Sequence, residues 1–203
     1  MLFALVAADP SLFLLGFGSG LAMVAPIGPV SLTLFGLGAE RGRRAAVAGA
    51  SGVVVADALV VPFALGGAGF VGGLDAGVVR WLEIGMGLVL LALAFVIVRH
   101  AERARQTVAG IERPVRTMAV MTLCNPLSLV AWLGLALALP SDMQVPVTLV
   151  VFGGGLVLAS AVWHVGIAVA SGTWASRMGI RARTAVARVS GLVLFVIAAI
   201  LVF

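Results

Sequence analysis

The sequence has little charge, one cysteine and no tyrosine. Charged residues make up 10% of the 203 residues, whereas an ordinary soluble domain carries about 25%. A chain with so few charges cannot cover a surface that faces water, so the composition excludes an ordinary soluble globular protein. The single cysteine, Cys124, excludes an intrachain disulfide bond and any metal site that is built from several cysteines.

Most of the sequence is apolar: 62% of the residues are hydrophobic, and the mean hydropathy is +1.21. A helix crosses the hydrocarbon core of a bilayer with about 20 residues, and six runs reach that length. They cover residues 11–37, 45–66, 78–98, 117–139, 147–171 and 184–203. We therefore predict an all-α integral membrane protein with six transmembrane helices in a single membrane domain over residues 1–203. Because these runs use nearly the whole chain, we expect no soluble catalytic domain and no cofactor.

All basic residues are arginine, and nearly all of them fall on one side of the predicted membrane domain. They follow the first, third and fifth spans, whereas Arg80 alone falls on the other side. Because basic loops stay in the cytoplasm, we predict that both chain termini lie outside and that the basic linker over residues 99–116 is cytoplasmic. Topology thus explains the basic charge, so we expect contacts with membrane lipid and no nucleic-acid partner.

The two halves of the chain, residues 11–98 and 117–203, each contain three predicted spans. Halves with an odd number of spans cross the membrane in opposite senses, so related halves would form an inverted repeat. Two short alignments relate them. At an offset of 97 residues, Pro29-Val30-Ser31-Leu32 aligns with Pro126-Leu127-Ser128-Leu129, and Phe35 aligns with Trp132. At an offset of 103 residues, 52–56 aligns with 155–159, and Asp57 aligns with Ser160. Inverted repeats with interrupted helices at matching positions are typical of secondary transporters.

Proline interrupts the first and fourth spans, in Ala25-Pro26-Ile27-Gly28-Pro29 and in Cys124-Asn125-Pro126. At about 1.5 Å of rise per residue, both breaks lie near the middle of the membrane. Because proline lacks an N–H group, we predict that each helix divides into two half-helices, and that Asn125 caps the second half of the fourth span. A half-helix N-terminus has a partial positive charge that suits a carboxylate. The alternative is that these prolines only kink their helices.

Asp57 lies about 12 residues into the second span, at a similar depth. A charged side chain there costs about 2.5 to 3.5 kcal/mol, so we expect that it either faces a polar cavity or is protonated. It would then couple protons or hold an ammonium group, whereas the alternative is a neutral residue that is bonded for packing. A carboxylate that faces two half-helix N-termini matches a zwitterion, which is the charge pattern of an amino acid.

His164 is a second candidate for proton coupling beside Asp57, since the unperturbed pKa of histidine is about 6.5. A structural, hydrogen-bonded histidine is the alternative interpretation. The hydroxyls of Thr33 and Ser160 are further candidates for lining the site, although such groups often join helices. We predict no metal ligands. The predicted substrate-binding residues are Pro26, Gly28, Pro29, Ser31, Asp57, Asn125, Pro126 and Ser128.

These motifs resemble those of the LysE/RhtB superfamily of bacterial amino-acid exporters. The order of the motifs is similar: Pro26-Ile27-Gly28-Pro29, then Glu40-Arg41-Gly42-Arg43-Arg44, then Asp57, then Asn125-Pro126, then Arg188-Val189-Ser190-Gly191. The resemblance covers almost the whole chain. It implies a multi-pass exporter in the bacterial inner membrane that a gradient of protons or of another ion drives.

We therefore predict a secondary active exporter of amino acids or of related small zwitterionic or cationic metabolites, working by alternating access between the two halves, and not an enzyme. Faces of small residues are compatible with a homodimer. One alternative is a metal or other inorganic ion exporter of the same superfamily, although a hard cation wants several oxygen ligands. The other is an intramembrane hydrolase, in which Ser160 and His164 share a helix face but have no paired third group.

Overall fold

The structure, a computed structural model, describes residues 10–25, 28–72, 110–137, 139 and 146–174, together with isolated residues between 75 and 95 and between 192 and 199. Most of the third and sixth predicted spans, 78–98 and 184–203, therefore lies outside the described residues, as do Pro26 and linker residues 99–109. The described part of the chain contains helices and no strands. Its elements are α1 (Pro10–Val24), α2 (Pro29–Gly72), α3 (Pro114–Leu123), α4 (Pro126–Leu137) and α5 (Pro146–Trp174).

Each of these helices begins at a proline. Proline suits this position because its φ angle is preset for a helix and its missing N–H would have no intrahelical partner in the first turn. The chain is therefore interrupted at both predicted places, between α1 and α2 and between α3 and α4. The carbonyl oxygens of Gly28 and Asn125 accept the first helical bonds of α2 and α4, from Leu32 N–H at 3.0 Å and from Leu129 N–H at 3.3 Å.

Helix α2 contains a single non-helical residue, Gly42, with φ 81° and ψ 172°. A positive φ of this size is accessible to glycine because it has no Cβ. Leu34 and Leu37 before the break pack in one cluster with Ala46 and Ala50 after it, so the chain turns back on itself at Gly42. We had expected a loop over residues 38–44 between the first two spans, but one glycine makes the turn.

The other helix bounds correct the sequence expectation in part. Helix α3 begins at Pro114 with Arg113 as its N-cap residue, so the last three residues of the predicted linker are helical. Helix α5 matches the predicted fifth span closely. By length and composition, Pro29–Gly67, which includes the turn at Gly42, and Pro146–Thr173 are the segments of the described chain that are long and apolar enough to cross a membrane.

Helices α1 and α2 both pack against α5, and α2 also packs against α3 and α4. Two of these contacts bring backbones close together. Gly155 of α5 lies against the carbonyl oxygen of Phe13 in α1, and Gly52 of α2 lies against the carbonyl oxygen of Val115 in α3. Packing through small residues is a common way for helices to associate in a membrane, where water does not drive them together.

Two apolar clusters fill the interior on either side of Asp57. The Gly42-side cluster consists of Val30, Leu34, Leu37, Ala46, Ala50, Val53, Ile111, Met118 and Ala168. The Trp132-side cluster consists of Val60, Val61, Ala64, Leu65, Trp132, Ala136, Leu139, Phe152 and Leu156. Asp57 lies between Val53 of the first cluster and Val61 of the second, one helical turn from each.

Candidate functional site

The carboxylate of Asp57 is buried, at 2% exposure, and it accepts hydrogen bonds from two other helices. The indole Nε1–H of Trp132 in α4 donates to Oδ1 at 3.2 Å. The hydroxyl of Ser160 in α5 donates to Oδ2 at 2.5 Å. Because buried polar atoms need hydrogen-bond partners, this pair of donors gives each carboxyl oxygen one partner. Asp57 thereby joins three helices.

His164 lies one turn beyond Ser160 on α5. Its Nδ1 is 2.9 Å from the carbonyl oxygen of Ser160 and 3.1 Å from the Ser160 hydroxyl oxygen. The carbonyl oxygen can only accept, and the hydroxyl already donates to Asp57, so both neighbours favour a proton on Nδ1. In the neutral ring, Nε2 is then the hydrogen-bond acceptor. This bonding accords with the structural interpretation of His164 without excluding proton coupling.

A cavity of about 60 Å³ lies beside these residues. Its walls come from both half-helix breaks and from the two apolar clusters: Met23, Val24, Gly28, Val30, Ser31, Val53, Asp57, Thr122, Asn125, Ser128, Ala131, Trp132 and His164. Binding sites for small molecules usually enclose about 300 to 1,000 Å³, and one water occupies about 30 Å³ in the liquid. This cavity therefore has room for about two waters, and a larger ligand requires its walls to move apart.

The N-terminal ends of α2 and α4 both open onto this cavity. Gly28 and Asn125 precede the two helices, Ser31 and Ser128 lie in their first turns, and all four line the wall. The Asn125 side-chain amide donates to the Ser128 hydroxyl at 3.0 Å, which holds the first turn of α4. Helix N-termini have partial positive charge, and in α4 the N–H of Ser128 donates to the carbonyl oxygen of Asn125 at 3.1 Å. The cavity thus combines a carboxylate with two electropositive helix ends.

Several predicted site residues meet in this one cavity: Gly28, Ser31, Asp57, Asn125, Ser128 and His164. Pro29 begins α2, but its side chain is not part of the cavity wall. Pro126 begins α4, and its side-chain surroundings lie outside the described part of the structure, as does Pro26. Thr33, considered as a lining residue, instead donates to the carbonyl oxygen of Pro29 at 2.8 Å and is not part of the wall.

Two residues of the cavity wall that carry hydrogen-bond donors were not predicted, Trp132 and Thr122. The Thr122 hydroxyl donates to the carbonyl oxygen of Met118 at 2.9 Å, so its polar group is satisfied locally. Trp132 was aligned with Phe35 and was otherwise treated as apolar. A signal was present, however, because a tryptophan N–H usually finds an acceptor when it is buried, and Asp57 is the carboxylate at that depth.

The expectation that Ser160 and His164 lack a third group is wrong, because Asp57 contacts Ser160. The order of the three groups still differs from that of a catalytic triad, in which histidine lies between the acid and the nucleophile. Here Ser160 lies between Asp57 and His164, and its hydroxyl donates to the acid. Ser160 is also fully buried and does not line the cavity. This geometry does not activate Ser160 as a nucleophile.

A family model described as LysE type translocator matches residues 21–203, which is nearly the whole chain. No curated protein and no solved structure matches the chain.

Proposed function

Because the chain belongs to the LysE type translocator family and is therefore a membrane exporter, we propose that its cargo is an amino acid or a related small zwitterionic or cationic metabolite. The observation that carries this proposal is the charge pattern of one cavity. Asp57 lines one part of its wall, and the first turns of α2 and α4 line another. An ammonium group suits the carboxylate, and a carboxylate group suits the helix ends.

We propose that transport proceeds by alternating access, with the two apolar clusters as its gates. The cavity is bounded by Val30 and Val53 of the Gly42-side cluster and by Trp132 of the Trp132-side cluster. Its volume of about 60 Å³ is less than an amino acid needs. Cargo then enters when one cluster separates and leaves when the other one does.

An inverted repeat of three-helix halves is the proposed basis of this motion. Asp57 and Ser160, which the alignment pairs, are joined by a hydrogen bond. A residue that touches its own equivalent in a two-fold arrangement must lie close to the axis, so this contact supports a two-fold relation. The aligned glycines Gly52 and Gly155 support it as well, since each lies against the half-helix that opens the other half of the chain.

The arginines support an orientation for the two gates. Arg41 and Arg43 flank the turn at Gly42, and Arg113 precedes α3. Ile111 packs with Leu37 and Ala46, so the basic segments of both halves lie at the same end of the protein. By the positive-inside rule, we propose that the Gly42-side cluster faces the cytoplasm of a bacterial inner membrane. The Trp132-side cluster then faces outward.

We propose the proton as the coupling ion, with Asp57 and His164 as the groups that carry it. Asp57 contacts Ser160, which contacts His164, and His164 lines the cavity. A proton that arrives at the carboxylate competes with the ammonium group of the cargo for the same oxygens, which is the requirement for antiport. A homodimer stays a prediction that rests on the sequence alone.

Export of a metal ion has less support from the described residues. They contain no group of three or more histidine, cysteine or acidic residues that could hold a metal ion. In the described wall of the cavity, Asp57 is the single carboxylate. A hard cation prefers six or more oxygen ligands or several retained waters.

The test is exchange in proteoliposomes with a panel of labelled amino acids, with wild type compared with Asp57→Asn. We expect exchange of at least one amino acid, and a loss of about five- to tenfold in the variant, because hydrogen bonds to charged groups are stronger than neutral ones by about 1 to 1.5 kcal/mol. Asp75→Asn is the matched control, since Asp75 is exposed and its Oδ1 accepts from Gly77 N–H. If no amino acid exchanges, the proposed cargo is wrong.

A further inference from the structure

Trp132 connects the carboxylate to one of the two apolar clusters. Its Nε1–H donates to Asp57 Oδ1 at 3.2 Å, and its ring packs in the Trp132-side cluster with Leu156 and Ala136. The side chain is buried, at 3% exposure, and it also lines the cavity. The same residue is therefore in contact with the proposed cargo site and with the proposed outward gate.

The hydrogen bond of Trp132 depends on the state of Asp57. An indole N–H can only donate, so a cation or a proton on Oδ1 competes with it for that oxygen. A buried donor without an acceptor is unfavourable. When cargo engages Asp57, the closed arrangement of Trp132 therefore loses stability relative to one in which water reaches the ring nitrogen.

The opposite cluster has no such connection. The members of the Gly42-side cluster are all apolar, so none of their side chains can donate to the carboxylate. Phe35 is aligned with Trp132 at the offset of 97 residues, and a phenyl ring has no N–H group. Among the described members of the two clusters, the hydrogen bond to Asp57 thus comes from the Trp132-side cluster.

We propose that Trp132 is a positioning residue that keeps the outward gate closed while Asp57 is ionised and unoccupied, and that releases it when a cation takes Oδ1. This inference rests on the proposed transport function. It assigns a direction to transport, because binding of cargo to the Asp57 carboxylate from the cytoplasm weakens the closure of the outward gate. Empty protein stays closed to the outside, and loaded protein opens there.

The experiment measures access to the cavity from outside with a cysteine reporter. Val30→Cys is placed in a Cys124→Ser background, since Cys124 is exposed and is the single native cysteine. Val30 lines the cavity but belongs to the opposite cluster. A membrane-impermeant methanethiosulfonate reagent, applied to the outer face of right-side-out vesicles, reaches this thiol when the Trp132-side cluster opens.

Trp132→Phe removes the donor and keeps an aromatic ring. We expect the reporter to react about tenfold faster or more, because the lost bond involves a charged acceptor. Trp163→Phe is the matched control, since Trp163 Nε1 is buried and has no hydrogen-bond partner among the described residues. We expect its labelling rate to stay near that of the parent protein. Equal acceleration in both variants would overturn the proposal.

A double-mutant cycle with Asp57→Ala separates the hydrogen bond from simple loosening of the cluster. In that background the indole has already lost its acceptor, so we expect Trp132→Phe to add no further acceleration. An additive effect would show loosened packing and would contradict the proposal. If Trp132→Phe does not reach the membrane, Asp57→Ala alone removes the same bond, and an unchanged labelling rate in it overturns the inference.

The labelling assay needs no cargo, so its outcome is independent of the exchange assay. Accelerated labelling without amino-acid exchange would leave the action of Trp132 intact and remove only the proposed cargo. Exchange of amino acids with equal labelling in the Trp132→Phe and Trp163→Phe variants would leave the proposed cargo intact and remove the proposed action of Trp132.

Discussion

Replacing Ser160 with alanine tests whether its hydrogen bond to Asp57 stabilises the packed helices. Ser160 is fully buried on α5, and its hydroxyl is 2.5 Å from Asp57 Oδ2 on α2. The substitution removes one oxygen atom and leaves the helix surface otherwise unchanged. His164 loses its 3.1 Å contact with the hydroxyl but keeps the one with the backbone carbonyl of residue 160 at 2.9 Å, so its Nδ1–H still has an acceptor.

The expected loss of stability follows from the charge on the acceptor. A hydrogen bond to a charged group contributes about 1.5 to 3 kcal/mol, and 1 kcal/mol corresponds to about 2 to 4 °C of melting temperature for a chain of 150 to 250 residues. We therefore expect Ser160→Ala to lower the apparent melting temperature of the purified protein in detergent by about 3 to 12 °C.

Ser171→Ala is the control for this measurement. Ser171 is also fully buried on α5, but its hydroxyl donates to the carbonyl oxygen of Ala168 on the same helix, at 3.0 Å. A neutral bond contributes about 0.5 to 1.5 kcal/mol, so we expect a clearly smaller decrease. If both variants melt at the same temperature, the Asp57–Ser160 bond does not stabilise the site, and the reasoning from its charge fails.

Two further predictions concern the helix contacts and the breaks. Gly16→Ala places a Cβ against the carbonyl oxygen of Phe152, whereas a Cβ at Gly18 meets nothing within 4 Å; thermal melts should show a loss of stability in the first variant only, and equal melts would contradict the close α1–α5 contact. Pro126→Ala restores an N–H group at the start of α4 and should reduce amino-acid exchange without reducing membrane insertion. Pro62→Ala, at an exposed position inside α2, is its control. Equal exchange in both variants would show that the helix break at Pro126 is not needed for transport.

Local chemistry determines the parts of the fold that the sequence predicted well. Helix starts at Pro29 and Pro126 depend on the missing N–H of proline, which needs no knowledge of the rest of the chain. The turn at Gly42 was less predictable. A seven-residue loop and a one-residue turn both accommodate the same polar segment, and the packing of Leu34 and Leu37 on Ala46 decides between them.

The partners of Asp57 depend on tertiary packing, which sequence spacing does not specify. The alignment placed Ser160 opposite Asp57, and these residues are in contact. Trp132 was missed because its large apolar ring dominates any reading of its environment, whereas its one N–H group makes the contact with the carboxylate. The sequence predicted only that Asp57 lies at a membrane depth similar to that of the two proline breaks. The approach of α4 to α2 brings the indole within reach.

The aligned positions indicate how related halves can produce a site with a direction. Gly28 aligns with Asn125, and both line the cavity; Asp57 aligns with Ser160, and both take part in one hydrogen bond. In each pair the two residues differ in chemistry. Phe35 and Trp132 continue this relation, because only one of these aromatic rings can donate to the carboxylate. A symmetric backbone with asymmetric side chains would allow both gates to move in the same way while only one responds to the occupancy of Asp57.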